Sequence, residues 1–431
     1  MEVIVIGAGL AGSEAAWQLA KRGVKVKLYE KKRVARHSAF KTDDFAELIC
    51  SNSLRSNNIE NAVGLLKEEM RHLDSLIMEA ADKNAIDAGS SLACDREGFS
   101  SYITEKLRSH PNIEVFDEEV MKIDIDKPTI VAAGPLCEGS LSEALAELCD
   151  KRYLYFYDAI SPIIEKDSID MSKAYYKSRY DKGEGDYINC PLTKEEFDEF
   201  YKTLIAAPCI EVKEMDKEIY FEGCMPFEVM AKRGKETLLF GPMKPVGLEY
   251  EGKRPYAVCQ LRQDNAIKTL YNIVGFQTHL TFGAQKEVLS KIPALKNAHI
   301  VRYGVMHRNT YIDAPRVLDA HYQMIRHPNV FVVGQIAGVE GYVESAASGL
   351  YGALSMAQYL KGAEIKELGQ DTIIGSMAHY ISNPTIAKLT PMNANFGIFR
   401  TDEPYTKKDK RQVFVRVALA NIDTYRKAID G

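Results

Sequence analysis

The N-terminal segment of the chain alternates short apolar runs with one longer stretch of helix-forming residues. The run from Val3 to Ile6 is apolar and β-branched, which is typical of a strand buried on both faces. Ser13 to Arg22 are rich in helix formers, and Gly23 is well placed to end a helix. Val24 to Tyr29 have the pattern of a second strand. The chain is therefore predicted to open with a strand, a helix and another strand.

Related patterns recur further along the chain. Apolar residues repeat at helical spacing from Ala62 to Ala81, which predicts one helix. Thr129 to Gly134 predict a strand that ends in a glycine, and Asn329 to Gly334 predict another. The small residues from Glu344 to Gly349 predict a helix behind the second of these strands. Together these elements predict an α/β fold.

Three glycines follow the first predicted strand at the spacing G-x-G-x-x-G. Gly7 permits a tight turn, Gly9 lets a pyrophosphate approach the backbone, and Gly12 lets the helix pack closely on the strand. The N-terminus of the helix presents free N–H groups to phosphate. Glu30 lies near the expected position, roughly 20 residues further on, for a carboxylate that accepts hydrogen bonds from ribose hydroxyls. The motif predicts a dinucleotide site that also includes the intervening residues Ala8, Leu10 and Ala11.

Two features favour FAD as the dinucleotide. The motif lies at the very N-terminus, and no second complete G-x-G-x-x-G appears later in the chain. The strand that ends at Gly334 and the helix behind it are typical of flavoproteins whose cofactor domain returns near the C-terminus. Gln335 stands in place of the acid that usually follows this glycine. Gly134 ends the strand that closes the first nucleotide-binding half, so it joins the predicted cofactor site.

The composition of the chain changes at about Tyr153, where aromatic residues become frequent. We expect residues 1–150 and 301–431 to form a discontinuous, Rossmann-like FAD-binding domain. Residues 151–300 are then a smaller inserted α+β domain that binds substrate or RNA. The stretch 178–187 mixes tyrosine, arginine and lysine with glycines, which fits a surface hairpin and also fits a surface on which RNA bases stack.

Composition narrows the class of protein further. The chain has 431 residues, a net charge of −5 and eight cysteines without a C-x-x-C pair, so neither zinc nor a disulfide framework is indicated. No apolar run is long enough to span a membrane, and we expect a cytoplasmic protein. Cys50 lies in a loop rich in serine, asparagine and arginine, and its context fits a core cysteine as well as a functional one. Cys224, on a constrained Gly-Cys-Met-Pro turn, is a candidate thiol nucleophile.

Long, ordered motifs resemble one enzyme family. They read ELICSNSLRSN, YFEGCMP, GPMKPVGL, QLRQDN, VGFQTHL, RYGVMHRNT and GQIAGVEGYVESAASGL, besides the opening glycine motif. With these motifs the chain resembles the folate- and FAD-dependent tRNA (uracil-5-)-methyltransferases. The GidA-type tRNA-modifying flavoproteins are more distant relatives, and they carry a helical C-terminal extension that this chain lacks.

The resemblance implies a reaction and residues for it. NADH or NADPH reduces FAD, methylenetetrahydrofolate supplies a one-carbon unit, and the reduced flavin provides the hydride that completes a methyl group. The Cys224 thiolate adds to C6 of a uracil, so that C5 becomes nucleophilic, and Cys50 is a second functional cysteine. His307 is placed to stack on the folate pterin, and Arg308 to meet its glutamate tail or an RNA phosphate.

The RNA target and the rival functions stay open at this point. The family's usual target is the T-loop uridine of tRNA, but some members methylate a uridine of ribosomal RNA. A GidA-like enzyme would instead add an aminomethyl group to a wobble uridine and would need a partner protein, whereas no obligatory protein partner is expected here. A third alternative is an RNA-binding flavoprotein without catalysis. In each case the target uridine has to be flipped or looped out of its stack.

Overall fold

The computed structural model describes two main β-sheets and two smaller ones. It covers residues 1–150, 153–159, 161–181, 187–210, 225–265, 267–304, 306–387 and 389–430, with the backbone alone at 153–159, 181 and 306–308. The strands are β1 (Glu2–Ile6), β2 (Lys25–Tyr29), β3 (Ser53–Ser56), β4 (Ala85–Ile86), β5 (Ser91–Cys94), β6 (Ile113–Phe116), β7 (Thr129–Val131), β8 (Tyr153–Ala159), β9 (Ile163–Glu165), β10 (Tyr175–Tyr176), β11 (Tyr187–Leu192), β12 (Ala257–Gln263), β13 (Leu270–Ile273), β14 (Ile300–Arg302), β15 (Met306–Ile312) and β16 (Val330–Val332).

Helices cover the sheets and form much of the packing around them. The helices are α1 (Leu10–Lys21), α2 (Ala62–His72), α3 (Leu76–Lys83), α4 (Arg96–Ser109), α5 (Gly139–Leu148), α6 (Lys194–Ala206), α7 (Phe227–Lys232), α8 (Lys235–Phe240), α9 (Phe282–Leu289), α10 (Ala314–Val317), α11 (Tyr342–Leu360), α12 (Ile373–Ile381) and α13 (Lys410–Asp430). Within the described ranges, no helix combines the length and the apolar character that a membrane crossing requires.

The five-stranded sheet is parallel and has the order β16-β7-β1-β2-β6. Its central strand β1 pairs with β2 on one side and with β7 on the other. Strand β16 comes from far along the chain and pairs with β7, with Phe331 opposite Ile130. The predicted α/β class is confirmed, because a parallel sheet flanked by helices is its defining feature.

The turn between β1 and α1 has the tight geometry that the glycine motif predicts. Gly7 has φ +96°, a left-handed conformation that side chains disfavour. A Cβ atom at Gly12 would lie 1.8 Å from the carbonyl oxygen of Gly7, so only glycine lets the helix approach the strand this closely. The helix begins at Leu10, three residues before the predicted start, and Gly23 with φ +76° follows its end.

Helix α11 packs on α1 at an equally short distance. A Cβ atom at Gly349 would lie 2.1 Å from the backbone oxygen of Ala11. Helix α11 is buried along most of its length. Helix α11 therefore packs directly on the N-terminal glycine motif, through a contact between the backbones of the two helices.

The single helix predicted from Ala62 to Ala81 is wrong: α2 and α3 are separate helices. Asp74 adopts φ +55° between them, and Ser75 caps α3 by accepting from the N–H of Met78. The physical reason lies outside this segment. The fully buried carboxylate of Glu14 accepts from the Ser75 hydroxyl at 2.7 Å and from the N–H of Ile77 at 2.9 Å. An uninterrupted helix would not offer that N–H group.

The second main sheet is antiparallel, with the order β10-β11-β12-β13-β9-β14. It packs with α6, α7, α8 and α9 around a hydrophobic cluster whose members lie between Ile164 and Ile300. The larger hydrophobic cluster draws its members from Val3–Cys149 and from Tyr311–Tyr425. The division into a domain of residues 1–150 and 301–431 and an inserted domain of residues 151–300 stays a prediction.

We expect Gly349→Ala to lower the free energy of unfolding by ~3 kcal/mol, because its methyl group would push α11 away from α1. Gly283→Ala is the matched control, since it also lies in a helix but its Cβ would meet nothing within 4 Å. That control should leave stability unchanged or raise it by up to ~1 kcal/mol. Urea unfolding of both variants checks this, and equal stability of the two would contradict the close contact.

Candidate functional site

A cleft opens at the carboxyl ends of β1, β7 and β16, where ligands of open α/β sheets bind. Most of the residues predicted to hold a dinucleotide line it. These residues are Gly7, Gly9, Leu10, Ala11, Glu30, Gly134, Gly334 and Gln335, and Cys50 joins them on the cleft wall. The other two predicted residues do not line the cleft: Ala8 is fully buried, and Gly12 lies inside α1 against the turn.

The cleft wall fits a dinucleotide. A Cβ atom at Gly9 or at Gly134 would meet nothing within 4 Å, so these glycines face open space rather than neighbouring protein. Helix α1 begins after Gly9 without a side-chain cap, which leaves its first N–H groups available to phosphate. Asn309 also lines the cleft, and its buried Nδ2 has no hydrogen-bond partner in the described part of the chain. A ligand oxygen would satisfy that donor.

Glu30 connects the end of β2 to the glycine turn. Its Oε2 accepts from the N–H of Ala8 at 2.8 Å, and its Oε1 accepts from the N–H of Lys32 at 3.0 Å. A carboxylate oxygen has two acceptor positions, so these bonds leave room for a ribose hydroxyl on each. The predicted ribose contact stays a prediction, and the structure adds a second role in holding the turn.

Gln335 has a partner that the sequence did not indicate. Its Nε2 donates to Oε2 of Glu340 at 2.6 Å, and Glu340 is buried. A carboxylate therefore stands beside the position where the usual acid is missing. Spacing alone could not have found it, because the two residues are joined through the short turn before α11.

The loop that carries Cys50 is fixed by hydrogen bonds from its backbone. The N–H groups of Cys50 and Ser51 both donate to the phenol oxygen of Tyr342, at 2.6 Å and 3.3 Å. Burial raises the pKa of Tyr342 well above its ordinary value, so the phenol stays neutral. Tyr342 is the first residue of α11, so the helix that locks onto the glycine motif also positions the half-buried Cys50.

A largely buried ion pair holds the same loop from the other side. Arg96, at the start of α4, donates to Asp264 at 3.0 Å to 3.2 Å through two of its nitrogens. Its third nitrogen donates to the carbonyl oxygens of Leu48 and Ile49, just before Cys50. Asp264 directly follows β12, so this arginine joins the Cys50 loop to the antiparallel sheet.

Two further side chains strengthen that junction. Asn52 is fully buried and donates to the carbonyl oxygens of Cys94 at 3.2 Å and Gln263 at 3.0 Å. Arg262 donates to the hydroxyl of Ser51 at 2.6 Å and to Oδ1 of Asn52 at 3.3 Å. The motifs ELICSNSLRSN and QLRQDN therefore meet in space, which neither motif reveals alone.

The other predicted site residues lie partly outside the described residues. Cys224 is among the residues that the structure does not describe, as are the side chains of His307 and Arg308 in β15. The segment that follows Cys224 is described and is firmly held. The N–H of Phe227 donates to the carbonyl oxygen of Gln277 at 2.8 Å. The buried carboxylate of Glu228 accepts from the Thr278 hydroxyl at 2.9 Å and from the N–H of His279 at 2.8 Å.

Fold and cleft together define an α/β protein with a glycine-lined cleft at the carboxyl ends of a parallel sheet. The family described as Glucose inhibited division protein A matches residues 2–364. The structure is similar to that of Aquifex aeolicus GidA in the form I crystal, with a TM-score of 0.72 at 17% identity. That match covers 99% of this chain and 76% of the GidA chain, and it bears on the fold alone.

Curated relatives are far closer in sequence. Methylenetetrahydrofolate--tRNA-(uracil-5-)-methyltransferase TrmFO of Anoxybacillus flavithermus is 59% identical over 433 residues, which is 100% of each chain. The TrmFO of Bacillus subtilis is 58% identical over 432 residues, which is 99% of each chain. The chain belongs to the TrmFO family of methyltransferases, and the family predicted from the motifs is confirmed.

We expect Asp264→Asn to lower the free energy of unfolding by ~3 kcal/mol, because it leaves the largely buried Arg96 cation without a charged partner. Alkylation of Cys50, followed by mass spectrometry, should also become faster as the loop loosens. Asp87→Asn is the matched control, since Asp87 and Lys268 form an exposed pair at 3.3 Å. Its effect should stay within ~0.5 kcal/mol. Similar losses for both variants would show that the Arg96 pair does not hold the loop.

A pH effect is expected from Lys67, which donates to the carbonyl oxygens of Leu54 at 2.8 Å and Ser56 at 2.6 Å in the same motif. Burial lowers the pKa of Lys67 from 10.5 to about 7. The unfolded chain therefore binds more protons between these two values, and the free energy of unfolding rises with pH there, by up to ~1.4 kcal/mol per pH unit.

The measurement is the difference in unfolding free energy between the natural protein and Lys67→Met at several pH values. Taking the difference removes contributions from other groups that titrate in the interval. We expect the natural protein to gain stability relative to the variant as pH rises. Lys83→Met, at an exposed lysine, is the control and should give a flat difference. A flat difference for Lys67→Met as well would contradict the lowered pKa.

Proposed function

We propose that this chain transfers a one-carbon unit from methylenetetrahydrofolate to C5 of a tRNA uridine and completes it as a methyl group. The observation that carries this proposal is identity of 58–59% over the whole length to enzymes named for that reaction. The cleft supports it independently, because Cys50 lies on the wall of a site suited to a dinucleotide. The same resemblance gives NADH or NADPH as reductant.

The cofactor of the cleft is proposed to be FAD. When bound, FAD would supply the hydride chemistry that reduces a transferred methylene group to a methyl group. Gly9 and the N-terminus of α1 would hold its phosphates, Glu30 its ribose, and Gly134 and Gly334 the walls beside it. Asn309 would donate to it from the opposite wall. Gln335, with Glu340 behind it, would face the linker between the two nucleotide halves.

The protein's own cysteines carry the RNA chemistry in this proposal. The Cys224 thiolate adds to C6 of uracil, so that the electron pair of the C5–C6 double bond becomes available at C5. Cys50, held by Tyr342 and Arg96 beside the cleft, is the second functional thiol. His307 and Arg308 are proposed to contact the folate pterin and its glutamate tail or an RNA phosphate.

We further propose that residues 1–150 and 301–431 form the cofactor domain and that residues 151–300 form an inserted domain that contacts RNA. The separate hydrophobic clusters support this division. Among the alternatives, tRNA is favoured over ribosomal RNA, and methylation over aminomethylation, because the relatives are named for tRNA uracil methylation. A cytoplasmic location follows from such a substrate, and the reaction as written needs no obligatory protein partner.

The test is transfer of label from methylenetetrahydrofolate to an unmodified tRNA transcript in the presence of NADPH. We expect label at C5 of a T-loop uridine with the natural protein, none with Cys224→Ala, and a strong decrease with Cys50→Ala. Cys149→Ala is the control, since this cysteine is buried away from the cleft and should retain transfer. Label in ribosomal RNA alone would change the target. No label in either RNA, from protein that holds FAD, would refute the proposal.

A further inference from the structure

The antiparallel sheet has one apolar face and one polar face. Side chains alternate along each strand, and every second residue of β11, β12 and β13 packs into the hydrophobic cluster of this sheet. The residues between them point to the opposite face, and many of them are polar. The polar residues of this face, which also includes Pro191, Val258 and Ile163, are Asn189, Gln260, Arg262, Asn272 and Arg302.

Three of these polar residues lie across the strands of this face. Arg262 is directly opposite Asn272, Asn272 is opposite Ile163, and Ile163 is opposite Arg302. Directly opposite residues in antiparallel strands have Cβ atoms ~5 Å apart and point to the same side. Arg262 and Asn272 are therefore neighbours on this face. Arg302 lies two strands beyond Asn272, past Ile163 and beside an irregularity in the pairing of β9 with β14, and its electrostatic interactions with Asp264 and Cys50 place it on the same side of the sheet.

The polar face is satisfied at one end and unsatisfied at the other. Asn189 donates to the carbonyl oxygen of Lys177 at 2.8 Å, and its oxygen accepts from Gln260 at 2.9 Å. By contrast, the buried Nδ2 of Asn272 has no partner in the described ranges, although the residue is only 3% exposed. Arg302 is partly buried and makes no hydrogen bond or ion pair there either. Buried donors without partners are rare and costly, so they need an explanation.

The strands of this face contact the Cys50 loop at one place and the start of α7 at another. Arg262 donates to Ser51, the residue after Cys50. In the other direction, the chain leaves β13 and reaches Gln277, whose carbonyl oxygen accepts from Phe227 at the start of α7. Helix α7 follows closely after Cys224 in the sequence. Strands β12 and β13, with the chain that follows β13, therefore connect the Cys50 loop with the start of α7.

The charge balance at this place is positive. Arg96 and Arg302 both lie close enough to Cys50 and Asp264 to interact electrostatically with them. Asp264 is engaged by Arg96 through three hydrogen bonds, whereas Arg302 forms no ion pair among the described residues. Because the amide Nδ2 and the guanidinium are donors only, the group that completes them must be an acceptor, and a negatively charged oxygen suits it best.

The proposed reaction creates such an oxygen. When a thiolate adds to C6 of uracil, the S–C6 bond forms and the electron pair of the C5–C6 double bond moves toward C4, which leaves an enolate with its charge on O4. The pair returns when C5 attacks the methylene carbon, whose C–N π bond breaks toward its nitrogen. Loss of the C5 proton then releases that nitrogen and leaves an exocyclic methylene group, and a hydride added to this group gives the methyl group as the S–C6 bond breaks and frees the thiolate. We propose that Asn272 and Arg302 donate to O4 of the target uracil and stabilise this enolate. The inference rests on the function proposed above, and it names residues for the uracil that the motifs do not indicate.

Replacement of Asn272 by leucine tests this inference, because a purely structural residue would change the melting temperature and not the methylation rate of the folded enzyme. The substitution Asn272→Leu removes a donor without a partner and keeps the volume, so it should retain or raise the melting temperature. At the same time the single-turnover methylation rate at saturating folate and tRNA should fall ~100-fold or more, as for the loss of an oxyanion donor. Asn189→Leu is the matched control, because its amide is satisfied: it should lower the melting temperature and leave the rate of the folded enzyme within ~3-fold.

Arg302→Met and Arg302→Lys provide a second, independent arm. The methionine variant should lose rate to a similar extent, and the lysine variant should recover part of it because the charge returns. Dissociation constants for tRNA and KM for methylenetetrahydrofolate should change less than ~3-fold in all these variants.

Three results would overturn the inference. An unchanged rate with a raised KM for folate would assign the donors to the folate tail, and an unchanged rate with weakened tRNA binding would assign them to a phosphate. A lower melting temperature for Asn272→Leu with a normal rate would make Asn272 a structural residue. None of these three results would contradict the proposed function. That function fails only if the natural protein transfers no label at all.

Discussion

The structure depends on the contact of three backbones around the glycine turn. Strand β1, helix α1 and helix α11 approach one another more closely than any side chain allows, because Gly12 faces the Gly7 carbonyl and Gly349 faces that of Ala11. This contact places the N-terminus of α1 at the cleft, and it places Tyr342 at the start of α11 beside Cys50. Packing of this density transmits any shift directly, so the glycine-lined cleft and the Cys50 loop share one rigid support.

A second, polar junction relates the two sheets. Arg96, Asn52 and Arg262 make their hydrogen bonds between the Cys50 loop and the end of β12. Such buried polar contacts are costly unless every partner is present, and here most partners are found on the opposite element. The arrangement therefore favours one relative position of the Cys50 loop and the polar face of the antiparallel sheet. The reaction proposed above needs such a fixed relation between thiol, cofactor and substrate oxygen.

The proposed roles fit a division of labour between the faces of the antiparallel sheet. One face is apolar and stabilises the sheet through its hydrophobic cluster. The opposite face presents Asn272 and Arg302, whose donors lack partners and so lower the stability of the fold. A ligand that supplies an acceptor would compensate this cost. Active sites commonly retain such groups, because donors that are already oriented need no rearrangement when charge develops.

The sequence by itself determined the opening strand-helix-strand unit, the reasons for Gly7 and Gly12, the parallel α/β class and the enzyme family. These features depend on residues close together in the chain or on motifs that can be matched directly. Only the tertiary structure decided where α2 ends, since the break at Asp74 serves the buried Glu14 from another helix. It also decided that Arg96 pairs with Asp264, that Gln335 donates to Glu340, and that Asn272 and Arg302 lie on the same face of the antiparallel sheet. Local patterns encode periodicity and turn chemistry, whereas the partner of a buried polar group is set by which distant elements pack together.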